Sequence, residues 1–187
     1  MRNAAAVLAL SATLVLGAAQ PARSAEGAAS NAALSNEHLA AGNVHGQKGE
    51  LDKAVGEYEK SLAADPSNVY ALSNLGYVYE EKGELDKAIL NYEKAAQLAP
   101  KDPVVWFDLG AAQAKKGDRP KAIESFEKCF RLDEKHYKAC MSLALAYEDD
   151  GKLERASEYY VKAMALTDDP EIKDAILRQV SRTTEKV

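Results

Sequence analysis

From about residue 35 to residue 168, small and aromatic side chains recur at steps of four and three, with charged and amide residues between them. Ala54, Tyr58 and Ser61 set the step, and Ala88, Tyr92 and Ala95 repeat it. Ala122, Phe126 and Cys129 follow, then Ala156, Tyr160 and Ala163. Such steps keep side chains on one face of a helix with 3.6 residues per turn. Gly49, Gly83, Gly117 and Gly151 break the pattern, each 34 residues after the one before. Glycine suits the left-handed backbone position that ends a helix. Acidic residues come just after it, at Glu50, Asp52, Glu84, Asp86, Asp118 and Glu154. A new helix start favours negative charge there. The pattern predicts helix pairs at 35–48 with 51–64, 69–82 with 85–98, 103–116 with 119–132, and 137–150 with 153–166.

The period of 34 extends to other columns. Ala41-Gly42, Leu75-Gly76, Leu109-Gly110 and Leu143-Ala144 share one, and His45, Tyr79, Gln113 and Tyr147 share another. Gly42, Gly76 and Gly110 fall inside helices, where each costs about 1 kcal/mol against alanine. Their recurrence predicts close approach of neighbouring helices. A single helix pair cannot cover its own apolar face, so like units must stack. The units run 35–68, 69–102, 103–136 and 137–168. Gly46 and Gly56 recur in no other unit and predict a weak first one. Asp169-Pro170-Glu171 is a helix start, and Ile172, Ala175, Ile176 and Val180 follow at helical spacing. Residues 169–187 are therefore expected to form a capping helix and a frayed tail. Residues 26–34 are small and polar without a period and are expected to be a linker.

These columns resemble the tetratricopeptide repeat (TPR) family. Leu75-Gly76, Tyr79, Ala88, Tyr92, Ala95 and Pro100 match its pattern in the second unit, as do Trp106, Leu109-Gly110, Ala122 and Phe126 in the third. The resemblance implies an all-α fold, a right-handed α-solenoid of four TPR helix pairs plus a C-terminal capping helix. It also implies a concave face lined by the first helix of each unit. The residues in those columns are Asn36, Leu39, Asn43, Tyr70, Ser73, Asn74, Tyr77, Val104, Phe107, Asp108, Ala111, Lys138, Met141, Ser142 and Leu145. Leu39, Asn43, Tyr70, Asn74, Tyr77, Phe107, Met141 and Leu145 are the candidate partner-binding residues, with Tyr77 and Phe107 the leading anchors. Some family members grip a partner's terminal carboxylate with Lys, Arg and Asn. Asn43 and Asn74 match two of those columns, but Leu39, Val104 and Asp108 stand in the basic ones. The implied function is a non-catalytic scaffold or adaptor for a protein or peptide segment. Self-association through the strip or an open end is a further option.

Composition and the N-terminus add a location. The chain has 187 residues, 47% hydrophobic and 28% charged, with a formal charge of −5. That balance gives no basic field for nucleic acid or an anionic membrane. Residues 1–25 read as a secretory signal and its cut: Met1 and Arg2, an apolar run over 4–19, then a small-residue zone. Cleavage is expected after Ala19 or Ser24, giving a periplasmic or secreted protein without membrane insertion. The alternative keeps this segment as an anchor, in a TPR subunit of a membrane complex.

Candidate chemistry is sparse. The sequence lacks the zinc-protease, phosphate-loop, nucleophile-elbow and dinucleotide patterns. No cofactor or metal is called for. His38 and His45 are seven apart, about 10 Å along a helix axis, which does not suit one shared metal. His136 lies in the turn before the fourth unit, where a solvated ring is expected. Glu57 with Lys60, Glu124 with Lys128 and Glu158 with Lys162 read as a solvated, paired face. Cys129 and Cys140 lie equidistant from the turn near residue 134. In an exported protein they form either a disulfide or two small buried thiols. A redox factor built on them is the remaining alternative; the pair lacks the Cys-x-x-Cys spacing.

Overall fold

The computed structural model describes residues 25–184. The expected secretory segment therefore lies outside the described residues, apart from Ala25, as does the end of the tail. Among the described residues there are nine helices and no strand. They run α1 Ala25–Gln47, α2 Leu51–Ala64, α3 Val69–Glu81, α4 Leu85–Leu98, α5 Pro103–Lys116, α6 Arg119–Leu132, α7 Tyr137–Asp149, α8 Leu153–Ala165 and α9 Pro170–Thr184. Each helix packs on the next in sequence, so α1 with α2, α3 with α4, α5 with α6 and α7 with α8 form stacked pairs and α9 closes the end. None of the described helices is long and apolar enough to cross a membrane.

The period-34 glycines do what their spacing predicted. Gly49, Gly83, Gly117 and Gly151 all have φ between 73° and 88°. At Gly83 the glycine amide donates to the Glu80 carbonyl and the Glu84 amide to the Tyr79 carbonyl, at 3.0 and 2.8 Å. The same two bonds recur at the other three glycines. This is the Schellman geometry, which satisfies the last carbonyls of a helix and turns the chain back. Between pairs, side chains cap the next helix. Asn68 accepts from the Ala71 amide and Asp102 from the Val104 amide. His136 does the same for α7: its Nδ1 accepts from the Ala139 amide at 3.1 Å, so the neutral ring carries its proton on Nε2. The ring expected in solvent is thus a half-buried helix cap.

The linker expected over residues 26–34 is helical and forms the first part of α1. Residues 28–30 and 32–34 are exposed, Gly27 and Asn31 are half-buried, and Ser35 is the first buried residue among those described. An alanine-rich stretch extends a helix at little cost once residues 35–47 have nucleated it. Its less exposed positions, Gly27 and Asn31, are not apolar, so it carried no periodic hydrophobic signal.

Inside, the aromatic column presses onto the glycine column. A Cβ built at Gly76 would stand 2.8 Å from the Tyr92 ring, and one at Gly110 2.7 Å from Phe126. Gly42 meets Tyr58 in the same way. The buried polar atoms are matched. Ser35 and Ser61 hydroxyls lie 2.9 Å apart, and the Asn68 amide donates to Ser35 at 2.9 Å, tying the first pair to the second. In the third pair the Ser125 hydroxyl donates to Gln113 at 2.7 Å.

Candidate partner-binding groove

The columns expected on the concave face lie on α1, α3, α5 and α7, one residue per helix at each level. In the column that starts at Asn36, Tyr70 is 74% exposed and Val104 54%. In the column that starts at Asn43, Tyr77 is 57% and Leu145 49% exposed. These four apolar side chains, on three successive first helices, face solvent together. Phe107 and Met141 do not share that exposure. Phe107 lies 5.7 Å from the Phe126 ring and 4.9 Å from His136, centre to centre, and both residues pack on the core around Leu143 and Tyr160. Leu39 likewise packs on the core around Tyr58 and Leu75. The structure therefore brings Tyr70, Tyr77 and Leu145 to the surface and turns Phe107, Met141 and Leu39 mainly inward.

The asparagines have internal work. Asn43 Oδ1 accepts from the Tyr58 hydroxyl at 2.9 Å and from the Asn74 amide at 2.7 Å. They join α1, α2 and α3, while the edges of both still line a 290 Å³ pocket beside Tyr77. A second pocket, of 320 Å³, opens on the strip between α5 and α7. Ala111, Phe126 and Leu145 line it together with the charged Lys115, Arg119 and Asp149.

The charged residues of the groove were harder to foresee. Glu80 on α3 pairs with Lys115 on α5 at 2.5 Å, and the Tyr92 hydroxyl also donates to it. Asp108, half-buried on α5, makes no ion pair or side-chain hydrogen bond among the described residues. Burial, reinforced by Glu80 and Asp102 and opposed by Lys138, raises its carboxyl pKa to about 6. The family's columns put Asp108 on the expected concave face, and its electrostatic coupling to Glu80 on α3 was not legible in the sequence.

Outside the groove, the histidines bind carboxylates. His38 Nδ1 lies 2.7 Å from Glu57, and His45 Nδ1 2.5 Å from Glu50. Glu57 also holds Lys60, and Glu158 holds Lys162, each at 2.7 Å. Lys128 departs from the expected pair with Glu124 and stands 3.9 Å over the Trp106 ring. That ring, half-buried, donates to the Pro100 carbonyl at 3.0 Å. Cys129 and Cys140 are free, fully buried thiols rather than the disulfide raised as one option. Burial first, then Asp133 and Cys140, pushes the Cys129 thiol up to about 12. A thiol so protonated is a poor nucleophile.

The stacked helix pairs have counterparts among known proteins. The family model for the middle TPR-like domain of cilia and flagella-associated protein 70 matches residues 72–177, more than half of the chain. A tetratricopeptide repeat model matches residues 39–103. The chain belongs to the tetratricopeptide repeat family. No curated protein matches it in sequence. Among solved structures, a crystal structure of MamA is similar at a TM-score of 0.69 and 24% identity, over 82% of this chain and 91% of that one. YrrB, described as a TPR protein with an unusual peptide-binding site, gives 0.70 and 21%, over 80% and 75%. The first TPR of Spaghetti (RPAP3), bound to the HSP90 peptide SRMEEVD, gives 0.62 and 20%, over 64% and 95%. At these identities the likeness is one of fold. This TPR chain shares the helical solenoid of all three.

Proposed function

We propose that this chain is a non-catalytic scaffold of four TPR units that holds a protein or peptide segment along its concave face. The observation that carries this reading is the row of Tyr70, Tyr77, Val104 and Leu145, exposed together on successive first helices. Large apolar side chains left exposed on neighbouring helices in this way are the kind of surface that interaction sites use. The neighbours support the reading: YrrB is described by its peptide-binding site, and the RPAP3 repeat holds a peptide. The ligand is an extended segment or an amphipathic helix, both of which pair apolar anchors with such a groove. The N-terminal pattern of residues 1–25 adds export, so the scaffold works as a periplasmic or secreted adaptor in assembling an envelope complex.

Tyr70→Ala combined with Tyr77→Ala tests the site. Both rings are exposed, so circular dichroism should be unchanged while affinity capture from a native envelope extract loses the partner. Capture at wild-type level would move the site off this face. The first residue of the protein purified from its source tests export. A chain beginning after Ala19 or Ser24 agrees with it, and a retained Met1 supports the membrane-anchored form.

A further inference from the structure

A larger pocket, of 900 Å³, lies between the second helices α4 and α6, over α5. Neither Tyr70, Tyr77, Val104 nor Leu145 of the exposed strip lines it. The repeat shows what the same place holds elsewhere. In the fourth unit it is filled by rings. Tyr147 stacks on Tyr159 at 5.7 Å, and Phe130 meets Tyr159 edge-on at 5.6 Å, centre to centre. The Tyr147 hydroxyl donates to Glu127 at 2.6 Å, and Lys162 stands 4.7 Å over the Tyr159 ring. In the second unit Tyr79 takes the Tyr147 place, with Glu59 in the Glu127 place beside it.

The third unit breaks this series. One period before Phe130, Tyr147 and Tyr159 stand Ala96, Gln113 and Ser125, and all three line the pocket. Trp106, in the Cys140 place, packs on the same core cluster as Ala96 and makes up for the ring lost there. The two tyrosine places receive only the shorter Gln113 and Ser125, each 4% exposed. The Ser125 hydroxyl takes Gln113 Oε1, and Gln113 Nε2 has no partner among the described residues. No sealed side-chain nitrogen among them lacks a partner, so this one opens to the pocket. The surroundings of the lost rings are kept. Glu93 stands in the Glu127 place and Lys128 in the Lys162 place, and both line the pocket. Glu93, half-buried, makes no ion pair or side-chain hydrogen bond among the described residues. We infer that this pocket is a second binding site, for the phenol ring of a tyrosine in a partner segment. The hydroxyl donates to Glu93 as Tyr147 does to Glu127, and the ring lies over Ala96, Gln113 and Ser125. Hydrogen bonds to a charged group are the stronger ones, so the site favours tyrosine over phenylalanine. The volume leaves room for the ring and its adjoining backbone.

Trp106 is the only tryptophan of the chain, so its indole N–H gives a single reporter signal in the pocket. N-acetyltyrosinamide titrated into the isotope-labelled full-length chain should shift that signal in a nuclear magnetic resonance spectrum. N-acetylphenylalaninamide should bind about tenfold more weakly. Glu93→Gln should remove that preference with circular dichroism unchanged. Gln113→Tyr combined with Ser125→Tyr restores both rings and should abolish the response. If that double variant fails to fold, Glu93→Gln still decides. Equal binding of the two amides, or a tyrosine preference that survives Glu93→Gln, would overturn the phenol site. A shift with free p-cresol but not with the tyrosine amide would overturn the partner tyrosine. No shift with any of them would overturn the site, while partner capture by the Tyr70–Tyr77 face would be untouched.

Discussion

Gly76 and Gly83 are both glycines for different reasons, and substitution separates them. At Gly76 the space is occupied: Tyr92 fills the site where a methyl would go, and its hydroxyl is held by Glu80. At Gly83 nothing lies near, but φ is +77°. Gly76→Ala gains about 1 kcal/mol of helix propensity and then overpacks the ring. The net expectation is a loss of about 1–2 kcal/mol in urea unfolding, with a shifted tyrosine spectrum. Gly83→Ala should lose about 1–2 kcal/mol from left-handed strain alone, with the spectrum unchanged. The fourth pair shows that the column is not absolute. It carries Ala144 in the same core cluster as Tyr160. If Gly76→Ala proved neutral, the ring would not be the reason for this glycine.

At the scale of an element, α9 closes the stack by packing chiefly on α8. Its N-terminus is fixed by Asp169, whose carboxylate accepts from the Glu171 amide at 2.9 Å. Its body is fixed by Ile176, almost fully buried, with Val180 beside it on the last core cluster. Ile176→Ala should lower stability by about 2–4 kcal/mol in thermal or denaturant unfolding. Loss of the Asp169 cap should lower it by only about 1 kcal/mol. Equal effects would mean that α9 is held at its end and not by its face. The expected capping helix was legible because an Asp-Pro-Glu start precedes apolar residues at helical spacing. The extension of α1 through residues 26–34 was not legible, because the half-buried positions on its inner side, Gly27 and Asn31, are not apolar.

For the whole molecule, each helix touches its sequence neighbours and little else. Stability is then close to a sum over units and their shared faces, and ends open before the middle. The first pair is expected to be the weaker end, because Gly46 and Gly56, which recur in no other unit, lower its helix propensity by about 1 kcal/mol each against alanine. Native-state hydrogen exchange should show α1 amides exchanging faster than those of α5 and α7, with the Ser35–Ser61–Asn68 bonds marking the boundary. Uniform protection along the chain would mean one cooperative unit instead of a stack.

The period of 34 determined the helices, their order and the glycine turns, which follow from local geometry repeated along the chain. The groove columns came from the likeness to the TPR family. Tertiary packing alone decided which groove residues are free to act. Tyr77 and Phe107 looked alike as anchors in sequence, but Phe107 is drawn against Phe126 and His136. Asp108 has its carboxyl pKa raised to about 6 mainly by burial between helices, with Glu80 on α3 adding to it. Burial and charge depend on neighbours one repeat away, and a sequence column records a residue's direction without the company it meets there.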